Sequence, residues 1–157
     1  IKNKNFFEKN NFLLTLAGSG YNLNILKKKV HLNKLDHLIK FEGNLDEKQL
    51  IKWFQNIDIY FHISKAESTS TVILQALSMC NPIFASKIEG NVQLKDFTRG
   101  KNLFLINNDH LSILKSFKYI IKNRTILKKM SLNIRKDYVN KINSNNLFKD
   151  YYKFINF

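Results

Sequence analysis

The stretch Asn56–Gly90, NIDIYFHISKAESTSTVILQALSMCNPIFASKIEG, decides the fold. Ile57–Phe61 is rich in β-branched and aromatic residues and predicts a strand. Ser64–Ser68 is a polar loop. A helix is expected from about Ser70 to Met79, because Asn81-Pro82 cannot continue it. Ile83–Ala85 then resumes an extended apolar run, and Ser86–Gly90 reads as a second loop. Strand, loop, helix, strand is one turn of a parallel α/β sheet.

Upstream the same alternation appears. Asn11–Ala17 (NFLLTLA) reads as a buried strand running into the tight turn Gly18-Ser19-Gly20. Tyr21–Val30 predicts a helix with Leu23, Leu26 and Val30 inward and Lys27 to Lys29 toward solvent. Leu38–Glu42 is a second strand, punctuated by Gly43-Asn44. Asp46 is placed to cap a helix over Glu47–Gln55, with Leu50, Ile51 and Phe54 as its apolar stripe. Before all of these, Phe6-Phe7 with flanking lysines suggests a short amphipathic helix.

Downstream, Asn91–Gly100 is polar and reads as irregular. Asn102–Ile106 (NLFLI) predicts another strand. Asn108 or Asp109 can cap a helix through about Asn123, burying Ile113, Phe117 and Ile120-Ile121. A further helix is expected over Thr125–Tyr138, using Ile126, Met130 and Ile134. The aromatic tail Asn145–Phe157 also reads as helical. The expected class is α/β: a Rossmann-like, mostly parallel sheet flanked by helices. Ligands of such sheets bind beyond the carboxyl ends of the strands. That rule selects Gly18–Gly20, Gly43-Asn44, Ser64–Ser70 and Ser86–Gly90.

Composition narrows the choices. A chain of 157 residues, 44% apolar, is expected to form a single domain over 1–157 with a substantial core. One cysteine, Cys80, excludes an intrachain disulfide and a four-cysteine zinc site. The net charge of +14 invites an anionic partner, or reflects a lysine-rich composition spread along the chain. No apolar run is long enough to span a bilayer, and the N-terminus has no signal-peptide pattern. The chain begins without methionine, and a larger parent protein is expected.

Among the polar residues, a helix opening near Ser70 would present free N–H groups and partial positive charge, a place for phosphate or diphosphate. The plainer alternative is that Ser68 or Ser70 only caps the helix. Glu67 has no second carboxylate or base close in sequence. Gln75, further along that helix, faces the ligand edge or solvent. The Ser86–Gly90 loop with Lys87 is a weaker anion candidate. His62 ends a strand and could face the ligand edge, although packing or surface exposure is the ordinary reading. His31, His37, His62 and His110 show no metal-ligand spacing among themselves or with Cys80. No GxxxxGK[ST] loop is present, and Gly18-Ser19-Gly20 lacks the third glycine and acidic partner of a dinucleotide fingerprint. Nucleic-acid modules with aromatic or zinc signatures are absent. Lysines 136, 141, 149 and 153 with Phe148, Tyr151, Tyr152, Phe154 and Phe157 could rest on anionic lipid or pack against a further domain.

With these residues in hand, the chain resembles the C-terminal, nucleotide-sugar-binding half of a GT-B retaining glycosyltransferase, of the group called glycosyl transferases group 1. In that family a strand ends in a serine, followed by a glutamate and, eight positions on, a second glutamate within a helix. A glycine, a proline, a strand and a glycine-containing loop come next. Here Ser64, Glu67, Ala76, Pro82, Ala85, Ser86 and Gly90 stand where the pattern wants them. Upstream LLTLAGSG resembles the strand and glycine turn near the nucleotide, and IKFEGNL the strand and loop approaching the base. Downstream GKNLFLINND resembles a third family segment, with Lys101 departing from its simplest form. The resemblance runs from about Phe12 to Ser131.

It implies one half of a GT-B fold, with an N-terminal acceptor domain and the arginine-lysine segment of this half's first strand missing from the chain. Glu67 takes the place of the catalytic glutamate that approaches the donor sugar. Ser68, Thr69, Ser70 and Thr71 correspond to the turn and helix start that hold the diphosphate. Gln75 stands at the second glutamate, the ribose-binding position; it keeps an acceptor oxygen but loses the charge. Gly18, Ser19, Gly20, Gly43 and Asn44 fall near the nucleotide. Cys80 stands where a glycine is usual, and Ser68 and Ser70 replace common glycines.

The implied reaction moves a sugar from a UDP- or GDP-sugar, with retention of anomeric configuration, to a surface polysaccharide or glycolipid acceptor. No cofactor or metal is implied. The isolated chain is expected to be inactive. The expected location is cytoplasmic or peripheral on the inner face of the cell membrane, against anionic lipid, with no specific nucleic-acid partner. Two other classes stay open at this point: a non-catalytic sugar-nucleotide or scaffold module, and a basic lipid- or nucleic-acid-surface binder.

Overall fold

A computed structural model describes residues 2–66, 68, 70–97 and 102–141. The elements run α1 (Lys4–Lys9), β1 (Leu14–Ala17), α2 (Leu23–Leu32), β2 (Ile39–Gly43), α3 (Glu47–Asn56), β3 (Tyr60–His62), α4 (Thr71–Ser78), β4 (Ile83–Ser86), α5 (Glu89–Phe97), β5 (Leu103–Ile106), α6 (His110–Lys122) and α7 (Arg124–Lys141). All strand pairings are parallel: β1 with β2, and β3-β4-β5 in that order. The chain divides into two compact units, Ile1–Lys52 and Trp53–Phe157, with the boundary inside α3.

In the first unit a small core gathers Val30, Leu35 and Leu38 against Phe7, Ile39 and Phe41. The α1 helix is held by Glu8, whose carboxylate meets His37 Nε2 at 2.8 Å, and by Lys4 Nζ donating to the Lys34 carbonyl at 3.1 Å. The expectation that Asn11–Ala17 is a buried strand is corrected: β1 is shorter, and Leu14 and Leu16 remain 40% and 37% exposed. Among the described residues β1 pairs only with β2, so apolar content alone overstated its burial.

The second unit is built on a three-strand sheet apolar on both faces. Register places Phe61, Phe84 and Phe104 in one row across β3, β4 and β5. Their rings stack at 5.3 and 4.7 Å, and Phe117 of α6 stacks on Phe61 at 4.7 Å. The opposite face carries Tyr60, His62, Ile83, Ala85 and Leu103. There the Tyr60 ring meets Trp53 and Phe54 of α3 edge-on.

Helix starts follow the sequence. Asp46 and Gln49 form a reciprocal cap: Gln49 N–H donates to Asp46 Oδ1 at 2.8 Å and Asp46 N–H to Gln49 Oε1 at 3.0 Å. Asp109, rather than Asn108, caps α6, accepting from Ser112 N–H at 2.9 Å.

Further readings need correction: Leu26 of α2, expected inward, is 46% exposed, and Ile51 of the α3 stripe is 37% exposed. Asn91–Gly100 was expected to be irregular, but α5 runs through Phe97; its buried side begins with Gly90 and Asn91, which carry no apolar signal. In α7, among the residues whose side chains are described, Leu127 is buried and Met130 partly buried, while Ile126, expected inward, is exposed. The Asn145–Phe157 tail lies outside the described residues.

Candidate functional site

The carboxyl ends of β3, β4 and β5 converge on a polar cluster in the second unit. Ser86, ending β4, is fully buried, and its hydroxyl accepts from the Ser64 N–H at 3.0 Å. Its carbonyl accepts from Asn91 Nδ2, on the first turn of α5, at 2.8 Å. Asn108, beyond β5, donates through Nδ2 to the Ser64 carbonyl at 3.2 Å. Ser64 therefore stands tied to the ends of β4 and β5, which fixes where the loop toward α4 departs. Two atoms here, Ser64 Oγ and Asn91 Oδ1, are buried with no hydrogen-bond partner.

The other end of that loop is fixed by Ser70. It is the N-cap of α4, in extended conformation, and its buried hydroxyl accepts from the Ile73 N–H at 3.4 Å. The same oxygen lies 3.3 Å from His62 Nε2, and His62 Nδ1 lies 3.0 Å from the Tyr60 hydroxyl. His62 is thus a half-buried link from the sheet to the helix start. Ser86, Asn91 and Asn108 as anchors escaped the sequence, because each acts through backbone contacts set by tertiary packing.

Of the residues selected from sequence, Ser70 is buried at the helix start, while Ser68 and Thr71 are exposed beside it. Gln75 is exposed on the second turn of α4. Glu67 and Thr69 lie outside the described residues. Gly90 belongs to α5, so the loop after β4 is shorter than Ser86–Gly90. In the first unit the two glycine turns meet directly: Gly18 N–H donates to the Gly43 carbonyl at 2.6 Å. Both residues have positive φ, +117° and +72°, which favours glycine at each. Ser19, Gly20 and Asn44 flank these turns. Among the described residues no three His, Cys, Asp or Glu side chains come together as a metal site.

Cys80 has φ +62° and closes α4. Its N–H donates to the Leu77 carbonyl and the Asn81 N–H to Ala76, a Schellman ending with Cys80 in the left-handed position. Asn81 Nδ2 then bonds the Phe54 and Ile57 carbonyls at 3.1 and 3.0 Å, locking the α4–β4 turn to the end of α3.

A parallel α/β sheet with a serine-capped helix opening at its strand ends is the arrangement of many nucleotide-handling proteins. The family model for glycosyl transferases group 1 matches residues 1–137, and the chain belongs to that family. Among solved structures, Anabaena Alr3699/HepE in complex with UDP superposes with a TM-score of 0.72 at 17% identity, covering 92% of this chain and 41% of that one. TarM gives 0.72 at 17%, covering 96% and 30%. WaaG, a glycosyltransferase involved in lipopolysaccharide biosynthesis, gives 0.66 at 13%, covering 83% and 34%. The fold is that of one half of a GT-B glycosyltransferase. The chain spans about two fifths of the HepE chain or less of the others. No curated protein sequence matches it.

Proposed function

We propose that the chain is the donor-binding part of a retaining glycosyltransferase that takes a nucleoside diphosphate sugar. The observation that carries this reading is the start of α4, where Ser70 is held by His62 beside the end of β3. The N–H groups of the first turn and the neighbouring Ser68 and Thr71 hydroxyls supply donors for a diphosphate. As the glycosidic bond breaks, negative charge grows on the leaving diphosphate, and such donors bind that state more strongly than the intact donor. Glu67, three residues before the cap, is assigned to the sugar, and Gln75 to the ribose hydroxyls. Family membership supports this assignment, as does the UDP held by the HepE structure.

The activity belongs to the intact protein, in which a second domain supplies the acceptor side. A surface polysaccharide or glycolipid acceptor, at the inner face of the membrane, is the reading we adopt; the WaaG likeness is compatible with it. The chain alone would bind donor without turnover. Calorimetry of the intact protein with UDP, GDP and their sugars tests the proposal. Binding of one base series is expected, weakened by Ser70→Ala. Failure of every nucleotide to bind a folded protein would overturn it.

A further inference from the structure

The outward side of α2 carries a pattern that donor binding does not use. Val30 and Leu23 are the residues it turns inward. At 100° per residue, Ile25, Lys28, Lys29 and Leu32 share an arc of about 100° on the opposite side. Ile25 is 61% exposed and Leu32 70%, and both lysines are exposed. Tyr21, immediately ahead of the helix, is 93% exposed. Scattered exposed apolar residues are ordinary. Here two aliphatics lie on one stripe with two lysines beside them, and an aromatic leads into it.

We propose that this face of α2 is a docking surface for an anionic lipid bilayer. From Tyr21 to Leu35 there are four lysines and no aspartate or glutamate. The nearest acid in sequence, Asp36, lies 3.5 Å from His31 and off the stripe. A helix of ten residues cannot cross a bilayer, and none of the described helices is long and apolar enough to do so. It can lie in the interface, with Tyr21, Ile25 and Leu32 entering the headgroup–acyl boundary while the lysine stems reach back to phosphate. A second copy of the chain would bring the same lysines against each other in a protein of net charge +14, which disfavours self-association through this face. The bilayer supplies both the apolar layer and the negative charge.

Vesicle flotation of the intact protein tests the surface. Vesicles of phosphatidylcholine with about a third phosphatidylglycerol should bind it, pure phosphatidylcholine much less, and added salt should weaken the binding. The pairs Ile25→Ser with Leu32→Ser, and Lys28→Gln with Lys29→Gln, should each lower binding about tenfold. Both pairs lie at exposed positions and should leave UDP affinity unchanged, which separates this surface from the donor site. Amide hydrogen exchange of the unsubstituted protein should slow over residues 21–32 when anionic vesicles are added. Unaltered binding by both variant pairs, or unaltered exchange over that segment, overturns the proposal. So does a concentration-dependent dimer abolished by Ile25→Ser.

Discussion

Ser70 and Cys80 bracket α4 and pull its stability in opposite directions. The Ser70 hydroxyl satisfies a helix N–H and meets His62, so Ser70→Ala should cost about 1 kcal/mol in urea unfolding. It should also reduce nucleotide affinity several-fold in calorimetry. Cys80 holds a left-handed conformation that costs a side-chain-bearing residue about 1–2 kcal/mol. Glycine removes that cost but adds freedom to the unfolded chain, so Cys80→Gly should stabilise by a net ~0.5–1 kcal/mol. In sequence, Cys80 was visible only as a departure from the family's glycine; its φ gives that departure a physical meaning. Ser70 was legible as a cap, whereas its partner His62 was not, since the pairing spans eight positions of sequence.

At the scale of elements, α1 and α2 end as α4 does, with Asn11 at φ 52° and Lys34 at φ 53° in the left-handed position. Each following N–H closes the Schellman pattern onto Phe7 and Val30. A chain with only 5 glycines hides such endings, because the usual marker is missing. The start of α6 was easier to read. Asp109 accepts from the Ser112 hydroxyl at 2.6 Å and from its N–H, and these bonds hold its carboxyl below the ordinary aspartate value. A lowered folded value means stability that is present above the unfolded pKa and lost as pH falls through the folded one. Asp109→Ala should therefore melt earlier than the parent at neutral pH, and the gap should close as the medium drops below about pH 4. The phenylalanine row is the strongest packing element. Phe84, its centre, is buried between Phe61 and Phe104, and Phe84→Ala should cost about 3–5 kcal/mol by denaturant titration.

Over the whole molecule, the alternation of apolar runs and helical periods made the parallel α/β class readable, since parallel strands need helical crossovers. Burial was less readable. Composition could not show that β1 would keep Leu14 and Leu16 half-exposed, or that α5 would bury Asn91 alongside Leu94. These differences have a dynamic expression. Hydrogen exchange of the β3–β5 strands, with Ile83, Phe84, Ala85 and Leu103 buried, should be slower than that of β1 and β2. A two-strand sheet with exposed leucines has little to prevent local opening.

The register of the sheets also sets a timetable for folding during synthesis. Leu14 pairs with Ile39, Tyr60 with Ile83 and Ile83 with Leu103, separations of 39 − 14 = 25, 83 − 60 = 23 and 103 − 83 = 20 residues. No described strand has a hairpin partner waiting beside it. At about 5–20 residues per second, a strand leaves the ribosome roughly 1–5 s before its partner. Intervening helices can form within about a microsecond. Ribosome-bound chains released at increasing lengths should therefore gain helix early, while the phenylalanine row assembles only after Phe104 has emerged.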